Sequence, residues 1–269
     1  EGTLADLDFD LYSDGENVWL AYTQANRKIV ADDSVAKIAA SLEIAVTKYD
    51  VETGKFEDPV ILTNNNTMDS NAQITVANGT PVVIWVNNGD NNIFGMTENN
   101  TVFTSRFFDG TWSSPEVYIN DIPAIVSLDV GLLTDKLCVS VICDADSDFT
   151  TSGDCVLTVY DEAGNAYTYR AGNYECVRFA DGLLYWYNNG SIYFIDAYGD
   201  SENLISNMLT SDSASDFEVI SSDDEKYILY RVYNTEGEHG GCDIYAIIYD
   251  GATWSVPVRL TTTDGYVDS

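Results

Sequence analysis

The chain has 269 residues, and its 44 acidic and 12 basic residues give a formal net charge of −32. This charge repels phosphate backbones and anionic lipid surfaces, so it argues against nucleic acid and membranes as partners. Hydrophobic residues make up 45% of the chain and aromatic residues 12%, which excludes a disordered acidic tail and allows one large folded domain.

Targeting and membrane-spanning segments are not recognisable in the sequence. No run of about 18 apolar residues occurs, and the start Glu1-Gly2-Thr3-Leu4 lacks the basic and apolar regions of a signal peptide. We therefore expect no membrane insertion. A targeting segment either was removed or was not needed.

The first predicted unit contains four strands and an insertion between the second and third strands. The insertion, residues 23–41, includes Val35-Ala36-Lys37-Ile38-Ala39-Ala40, which is predicted to form one or two helical turns. The remaining strands show the apolar and polar alternation of half-buried β-structure. In chain order, the four strands are predicted at 7–12, 17–22, 42–49 and 59–62.

Four further units repeat this order of strands. Four strands in each period of about 40 to 60 residues are the signature of a β-propeller. We therefore predict an all-β fold, a single β-propeller domain with five four-stranded blades. The five blades either close a ring or form part of a larger propeller. Their approximate bounds are 1–63, 64–121, 122–172, 173–213 and 214–269.

Large aromatic residues recur in the second strands of the units. A stripe of this kind could line a ligand platform, but a position that repeats inside strands more often packs blade against blade. We predict that they form core contacts. They are Trp19, Trp85, Trp186 and Tyr230.

A short element joins the third and fourth strands in several units. It reads Phe108-Asp109-Gly110-Thr111-Trp112 in one copy and Tyr249-Asp250-Gly251-Ala252-Thr253-Trp254 in another, with a looser copy at Tyr49-Asp50. Gly supplies the positive φ of a tight turn, and a Pro three residues after the aromatic residue requires an edge strand.

This element resembles a degenerate Asp-box, the turn of sialidase-like propellers and of many noncatalytic secreted bacterial propeller domains. Both copies lack the Ser or Thr and the spacing of a full box. In that family the box is a structural turn remote from the active site, so the resemblance implies fold rather than chemistry.

The same resemblance would imply a substrate carboxylate held by three arginines, with a tyrosine nucleophile activated by a glutamate. No Arg-Ile-Pro occurs near the first strand, and Arg259 and Arg170 fall in predicted outer strands, which argues against a converging trio, so sialidase activity is not expected. His239 lies in a Gly-rich loop and no Gly-x-Ser-x-Gly occurs, which argues against a Ser/His/Asp hydrolase. The six arginines are Arg27, Arg106, Arg170, Arg178, Arg231 and Arg259.

Two candidate structural sites flank or occupy residues 144–154. A disulfide between Cys143 and Cys155 would fit an oxidising compartment, and the alternative is that both are small buried thiols. Asp144, Asp146 and Asp148 have the alternate spacing that can direct oxygens at Ca²⁺. The rest of an EF-hand loop is missing, and the alternative is a solvated acidic loop tip.

The ligand site is predicted on the face with the long loops, because tight turns cannot build a pocket. Three aspartates, Asp6, Asp69 and Asp216, recur near the starts of inner strands and would crowd a channel mouth. Tyr174 and Phe217 are candidate stacking partners. The alternative is that each aspartate caps its own interblade turn.

These patterns favour a noncatalytic, monomeric module of a bacterial secreted or cell-surface protein that binds a glycan or an extracellular protein. Ca²⁺ is the one candidate cofactor. The alternatives are a glycoside hydrolase that uses carboxylates at the channel mouth and a structural spacer domain.

Overall fold

The computed structural model describes residues 6–13, 17–93, 99–148, 155–172, 174–188, 190–197, 203–207, 214–221, 225–234 and 241–261. Within these ranges the chain forms five antiparallel sheets and one short helix. In each sheet the first three strands are hydrogen-bonded in sequence order, and the outer strand or its pieces pair with the third. The fold is a β-propeller with five four-stranded blades, which confirms the predicted fold class.

The first two blades have their outer strand divided into two pieces. The first blade contains β1 (Asp6–Ser13), β2 (Val18–Ala25), α1 (Val35–Ala39), β3 (Leu42–Asp50), β4 (Lys55–Phe56) and β5 (Val60–Ile61). The second contains β6 (Met68–Ala77), β7 (Thr80–Asn88), β8 (Asn100–Phe108), β9 (Thr111–Trp112) and β10 (Glu116–Ile122).

The other three blades have four strands each. The third contains β11 (Ile125–Leu133), β12 (Lys136–Asp144), β13 (Cys155–Asp161) and β14 (Ala166–Gly172). The fourth contains β15 (Tyr174–Ala180), β16 (Leu183–Asn188), β17 (Ser191–Ile195) and β18 (Asn203–Asn207). The fifth contains β19 (Ala214–Ser221), β20 (Lys226–Asn234), β21 (Gly241–Tyr249) and β22 (Val258–Arg259).

Proline explains why the outer strands are divided. Both β4 and β5 pair with β3, and Pro59 lies between them; both β9 and β10 pair with β8, and Pro115 lies between those. Because proline has no N–H to donate to a ladder, it is tolerated at the edge of a sheet. The predicted edge position of these segments is confirmed.

Several inner hairpins close through two-residue turns in which both residues have positive φ. Asn78 and Gly79 have φ of 51° and 77°, and Asp181 and Gly182 have 53° and 73°. These values belong to the turn type whose twist matches that of antiparallel strands, and Asn-Gly and Asp-Gly are its preferred sequences. The turns therefore follow from local sequence.

The chain divides into two compact units. One contains Glu1–Gly131 with Cys143–Thr150, and the other contains Leu132–Ile142 with Thr151–Ser269, so the division passes through the third blade. The prediction of a single domain stays a prediction.

Each unit buries aromatic residues of the second strands. In the first unit Trp19 and Trp85 are 6% and 1% exposed, and both join a cluster that lies between the first two blades. In the second unit Trp186 and Tyr230 are also buried, in the two clusters that flank the fourth blade. Their predicted role as core residues is confirmed.

The insertion of the first blade contains the predicted helical turn, α1. The Ser34 side chain caps it by accepting a hydrogen bond from the backbone N–H of Lys37. Asp33 binds both Arg27 and Lys37, at 2.7 and 2.6 Å. None of the described helices is long and apolar enough to cross a bilayer.

Candidate functional site

The loop end of the first unit is the end of its sheets at which the connection from β2 to β3, the connection from β7 to β8 and the linker 62–67 lie. A cavity of about 260 Å³ opens there, at the starts of the inner strands β6 and β11. Its wall is a mixture of carboxylate, hydroxyl, amide and aliphatic groups. The lining residues are Asp8, Met68, Ser70, Asn71, Val86, Asn88, Ile93, Asn100 and Ile125.

Two asparagines of this wall hold its rim in place. The Asn88 Oδ1 accepts hydrogen bonds from the backbone N–H groups of Asp90 and Asn92, and its Nδ2 donates to the carbonyl of Asn92. The Asn100 Nδ2 donates to the carbonyl of Pro123 at 3.2 Å. These side chains shape the cavity by fixing the backbone around it.

Ser70, Asn71 and Asp8 are the other polar residues of the wall. Asn71 has a φ of 55° and lies in the irregularity of the β6–β7 ladder between Ser70 and Gln73. Such bulges redirect side chains and interrupt the ladder. The Asn71 N–H approaches Asp8 Oδ2 at 3.4 Å. Together these residues present hydroxyl, amide and carboxylate groups that suit a hydroxyl-rich ligand.

Asp69 lies between two cavity residues in sequence, but its own side chain belongs to a buried network. Its Oδ1 accepts hydrogen bonds from Trp85 Nε1 at 3.1 Å and Asn87 Nδ2 at 2.8 Å. Its Oδ2 accepts one from Asn65 Nδ2 at 2.9 Å. Burial raises the pKa of Asp69, and these donors act in the opposite direction.

The structure describes the side chains of three of the five predicted ligand residues. Asp6 is exposed at the start of β1, and Asp69 is 1% exposed within its network. The side chains of Asp216 and Tyr174 lie outside the described residues. The stacking role predicted for Phe217 is wrong, because this side chain is 3% exposed in the core of the second unit.

The acidic loop after β12 uses its carboxylates within the loop. Asp144 Oδ1 accepts the N–H of Asp146, and Asp146 Oδ1 accepts the N–H of Asp148. Among the described residues, no group of three or more His, Cys, Asp or Glu is arranged to hold a metal ion. Calcium binding by Asp144, Asp146 and Asp148 therefore stays a prediction.

The cysteines are thiols in the structure, so the predicted bridge between Cys143 and Cys155 is not formed in it. Cys138, Cys176 and Cys242 are buried, as expected for small core residues. Formation of the Cys143–Cys155 disulfide in an oxidising compartment stays a prediction. His239 lies outside the described residues.

Three arginines form ion pairs among the residues that the structure describes. Arg27 binds Asp33, Arg178 binds Glu218, and Arg259 binds Asp243. A guanidinium that neutralises a neighbouring carboxylate is a poor receptor for a second one. These three guanidinium groups are therefore committed to carboxylates of the chain itself.

The carboxylates of three turns serve the turns themselves. Asp50, Asp161 and Asp250 each accept backbone N–H groups two to four residues ahead. Hydrogen bonds that favour the charged form lower the pKa of all three carboxyls. These aspartates are structural.

Comparison with known proteins identifies the fold and no closer relative. No protein-family model matches the chain, and no curated protein matches it. Among solved structures, it is similar to Trypanosoma rangeli sialidase in complex with the inhibitor DANA, with a TM-score of 0.59 and 10% identity. That match covers 97% of this chain and 50% of the sialidase.

Two other carbohydrate-active enzymes are similar in fold. The polysaccharide lyase Uly1 matches with a TM-score of 0.56 and 10% identity over 90% of this chain and 57% of the lyase. An alpha-L-arabinanase of Penicillium chrysogenum, complexed with arabinobiose, matches with a TM-score of 0.53 and 12% identity over 83% and 71%. The chain thus spans about half to three-fifths of the sialidase and the lyase, and its likeness to them is one of fold.

Sequence reasoning did not single out most residues of the cavity. Asn71, Asn88 and Asn100 were not singled out, although they belong to a chain region rich in asparagine between 64 and 100. Glu43 was also missed. It is fully buried at the start of β3, and nothing in its immediate sequence distinguishes it from a solvent-facing glutamate.

Proposed function

We propose that the chain is a noncatalytic module that binds a neutral glycan in the cavity at the loop end of the first unit. The observation that carries this proposal is the cavity wall, where Ser70, Asn71 and Asp8 lie beside aliphatic side chains. A few polar groups in a partly apolar concave site are typical of small-ligand recognition. The volume suits one sugar residue.

The charge of the protein favours a neutral sugar over an acidic one. A net charge of −32 raises the energy of any anionic ligand near the surface, and Asp8 adds a negative charge at the wall itself. Neutral sugars satisfy carboxylates and amides through their hydroxyl groups. We therefore expect neutral oligosaccharides to bind and sialylated or uronic-acid oligosaccharides to bind weakly.

Binding is favoured over hydrolysis by the arrangement of carboxylates. Glycosidases usually place two carboxyl groups about 5 to 10 Å apart on either side of the scissile bond. Asp8 is the one carboxylate among the described lining residues, and the Asp69 side chain is committed to Trp85, Asn87 and Asn65. The enzyme alternative would need a second carboxylate at the cavity.

The test is a glycan array followed by calorimetric titration with the best neutral oligosaccharide. The double variant Asp8→Asn/Ser70→Ala should weaken binding at least tenfold. Asp58→Asn removes the same charge from an exposed position outside the cavity and should leave binding unchanged. No binding to any glycan on the array, or equal loss in both variants, would refute the proposal.

A parallel assay with chromogenic glycosides separates binder from enzyme. We expect no turnover by the unmodified chain. Turnover that disappears in Asp8→Asn would establish the hydrolase alternative instead. Placement outside the cell belongs to the same proposal, and its companion test is thiol counting after secretion, where a Cys143–Cys155 disulfide would leave three thiols reactive to alkylation.

A further inference from the structure

Glu43 is a buried acid whose two oxygens have different surroundings. Its side chain is fully buried at the second residue of β3. The Oε1 atom accepts hydrogen bonds from Asn26 Nδ2 at 3.0 Å and from the backbone N–H of Asn65 at 2.9 Å. The Oε2 atom is buried and has no hydrogen-bond partner among the described residues. Glu43 is therefore half satisfied.

Asp69 is the acidic neighbour of Glu43, and the two are joined through the linker 62–67. Asn65 donates its backbone N–H to Glu43 and its side-chain amide to Asp69. The Thr63 hydroxyl lies beside both carboxyls, and its single O–H proton can serve only one of them. Asp69 also accepts hydrogen bonds from Trp85 and Asn87, so its carboxylate has more hydrogen-bond donors than that of Glu43.

No cation compensates the pair among the described residues. The groups placed against Glu43 are Asn26 from the loop after β2, Thr63 and Asn65 from the linker, and Asp69 from β6; only Asp69 is titratable. The adjacent insertion contains three cations: Arg27 and Lys37 both bind Asp33, and Lys28 is exposed and forms no ion pair with Glu43 or Asp69 among the described residues. Two buried like charges without a cation are relieved most simply by a proton.

We propose that Glu43 and Asp69 form a proton-binding site at the loop end of the first unit, with the proton on Glu43 and the charge on Asp69. This assignment follows from the donors: Asp69 has three, distributed over both of its oxygens, whereas Glu43 has two, both on Oε1, and none on Oε2. A buried neutral oxygen without a partner costs less than a buried anionic one. The proton therefore resides on Glu43, the carboxyl with fewer hydrogen-bond donors.

The titration behaviour has a definite sign. Burial raises the pKa of Glu43, and the charge of Asp69 acts in the same direction. The folded state then binds more protons than the unfolded state above about pH 4.3, the ordinary value for glutamate. Under that condition the free energy of unfolding falls as pH rises, until Glu43 is ionised in the folded state as well.

The linker is where ionisation of Glu43 would act. A negative Glu43 beside Asp69 repels it across Asn65 and Thr63, which hold the start of β6. The first and third residues of that strand, Met68 and Ser70, line the cavity. A pH-dependent weakening of ligand binding is a corollary, and this step alone rests on the proposed function.

The test measures the proton directly and then its energetic effect. In protein labelled with ¹³C at glutamate side chains, the carboxyl carbon of Glu43, assigned by its absence in Glu43→Gln, should titrate more than one pH unit above the exposed glutamates. Titration together with the exposed glutamates would overturn the proposal. This experiment reads the folded wild-type chain and needs no glycan.

The second arm compares Glu43→Gln with Glu52→Gln by urea denaturation at pH 5, 7 and 9. Glutamine mimics the protonated acid, so the unfolding constant of Glu43→Gln relative to wild type should fall at least tenfold between pH 5 and pH 9. Glu52 is exposed in the same blade and its variant should show no such trend. Parallel pH curves for wild type and Glu43→Gln would overturn the proposal.

A calcium titration tests whether Glu43 and Asp69 bind a metal ion instead of a proton. If the pair held a metal ion, millimolar Ca²⁺ would raise the melting temperature of wild type and leave Glu43→Gln unchanged. That outcome would replace the proton by a cation and contradict the proposal. We expect no calcium-dependent difference between the two proteins.

Discussion

In the first and fifth blades the start of the third strand makes the same backbone hydrogen bonds and carries a buried acid. The acid has a cationic partner in the fifth blade and none among the described residues in the first. The N–H of Ile44 donates to Thr63 Oγ1 and that of Ile244 donates to Thr261 Oγ1, both at 2.9 Å. Leu62 and Leu260 return backbone hydrogen bonds to the same two isoleucines. The residue before each isoleucine is a buried acid, Glu43 or Asp243.

The difference lies one strand away, in the outer strand. Arg259 pairs in register with Tyr245, and Ile61 pairs in the equivalent register with Ala45. Arg259 forms an ion pair with Asp243 at an N–O distance of 2.6 Å, whereas the aliphatic side chain of Ile61 cannot form an ion pair or a hydrogen bond with Glu43. Whether a buried acid at a repeated position has a cationic partner is thus decided by a residue that is distant in sequence and adjacent in the sheet.

The largest expected effect comes from breaking the compensated acid. Arg259→Met leaves Asp243 buried without its cation and should lower the free energy of unfolding by about 3 kcal/mol, the lower end for buried pairs. The lower end applies because the Arg259 side chain is 34% exposed. Urea denaturation measures this loss.

The matched control for that variant is Glu218→Gln. It removes the exposed partner of Arg178 and should cost less than about 1 kcal/mol. Equal losses in the two variants would mean that Asp243 does not depend on Arg259.

The second prediction compares two buried tryptophans, one in each unit, that differ in hydrogen bonding. Trp85 Nε1 donates to the Asp69 carboxylate, whereas Trp186 Nε1 is buried without a hydrogen-bond partner among the described residues. Both variants to phenylalanine lose ring volume, but only Trp85→Phe also loses a charge-assisted hydrogen bond. Trp85→Phe should therefore be about 2 kcal/mol more destabilising than Trp186→Phe in urea.

Each indole stacks on one ring of the neighbouring strand, and Trp186 has an additional tilted contact with Tyr169 at 5.5 Å between ring centroids. Trp85 stacks on Phe103 at 5.9 Å and Trp186 on Tyr193 at 6.0 Å between ring centroids. A larger loss in Trp186→Phe would show that packing outweighs the hydrogen bond to Asp69.

The smallest expected effect comes from introducing into the first blade an arginine at the position equivalent to Arg259 of the fifth. Ile61→Arg places a guanidinium where Arg259 stands relative to Asp243, and it should lower the pKa of Glu43. We expect a gain of about 1 kcal/mol at pH 9 and a smaller gain at pH 5, because a larger fraction of Glu43 carries the proton at the lower pH. The measurement is the difference in urea midpoint at the two pH values.

Val60→Arg is the control for this gain. Neighbouring residues of a strand point to opposite faces, so the same charge is added one residue away on the other side of the sheet. The pH-dependent gain should be missing in Val60→Arg. Its presence there would assign the gain to the reduced net charge rather than to Glu43.

The sequence determined the blades because their signals are local. Asn-Gly and Asp-Gly turns, alternating strands and prolines in outer strands act through φ preferences and missing N–H groups within a few residues. The four aromatic residues of the second strands were recognisable as core for a related reason: a large apolar side chain that recurs inside strands has few other places to go.

The tertiary structure alone decided what the acids do. Glu43 meets Asn65 across 22 residues of sequence, and Asp243 meets Arg259 across 16, so neither environment is visible in the adjacent sequence. Phe217, predicted as a stacking surface, lies in a core instead. Burial, hydrogen bonding and compensation of charge depend on which strands become neighbours, and these fix the protonation state that composition and spacing leave undefined.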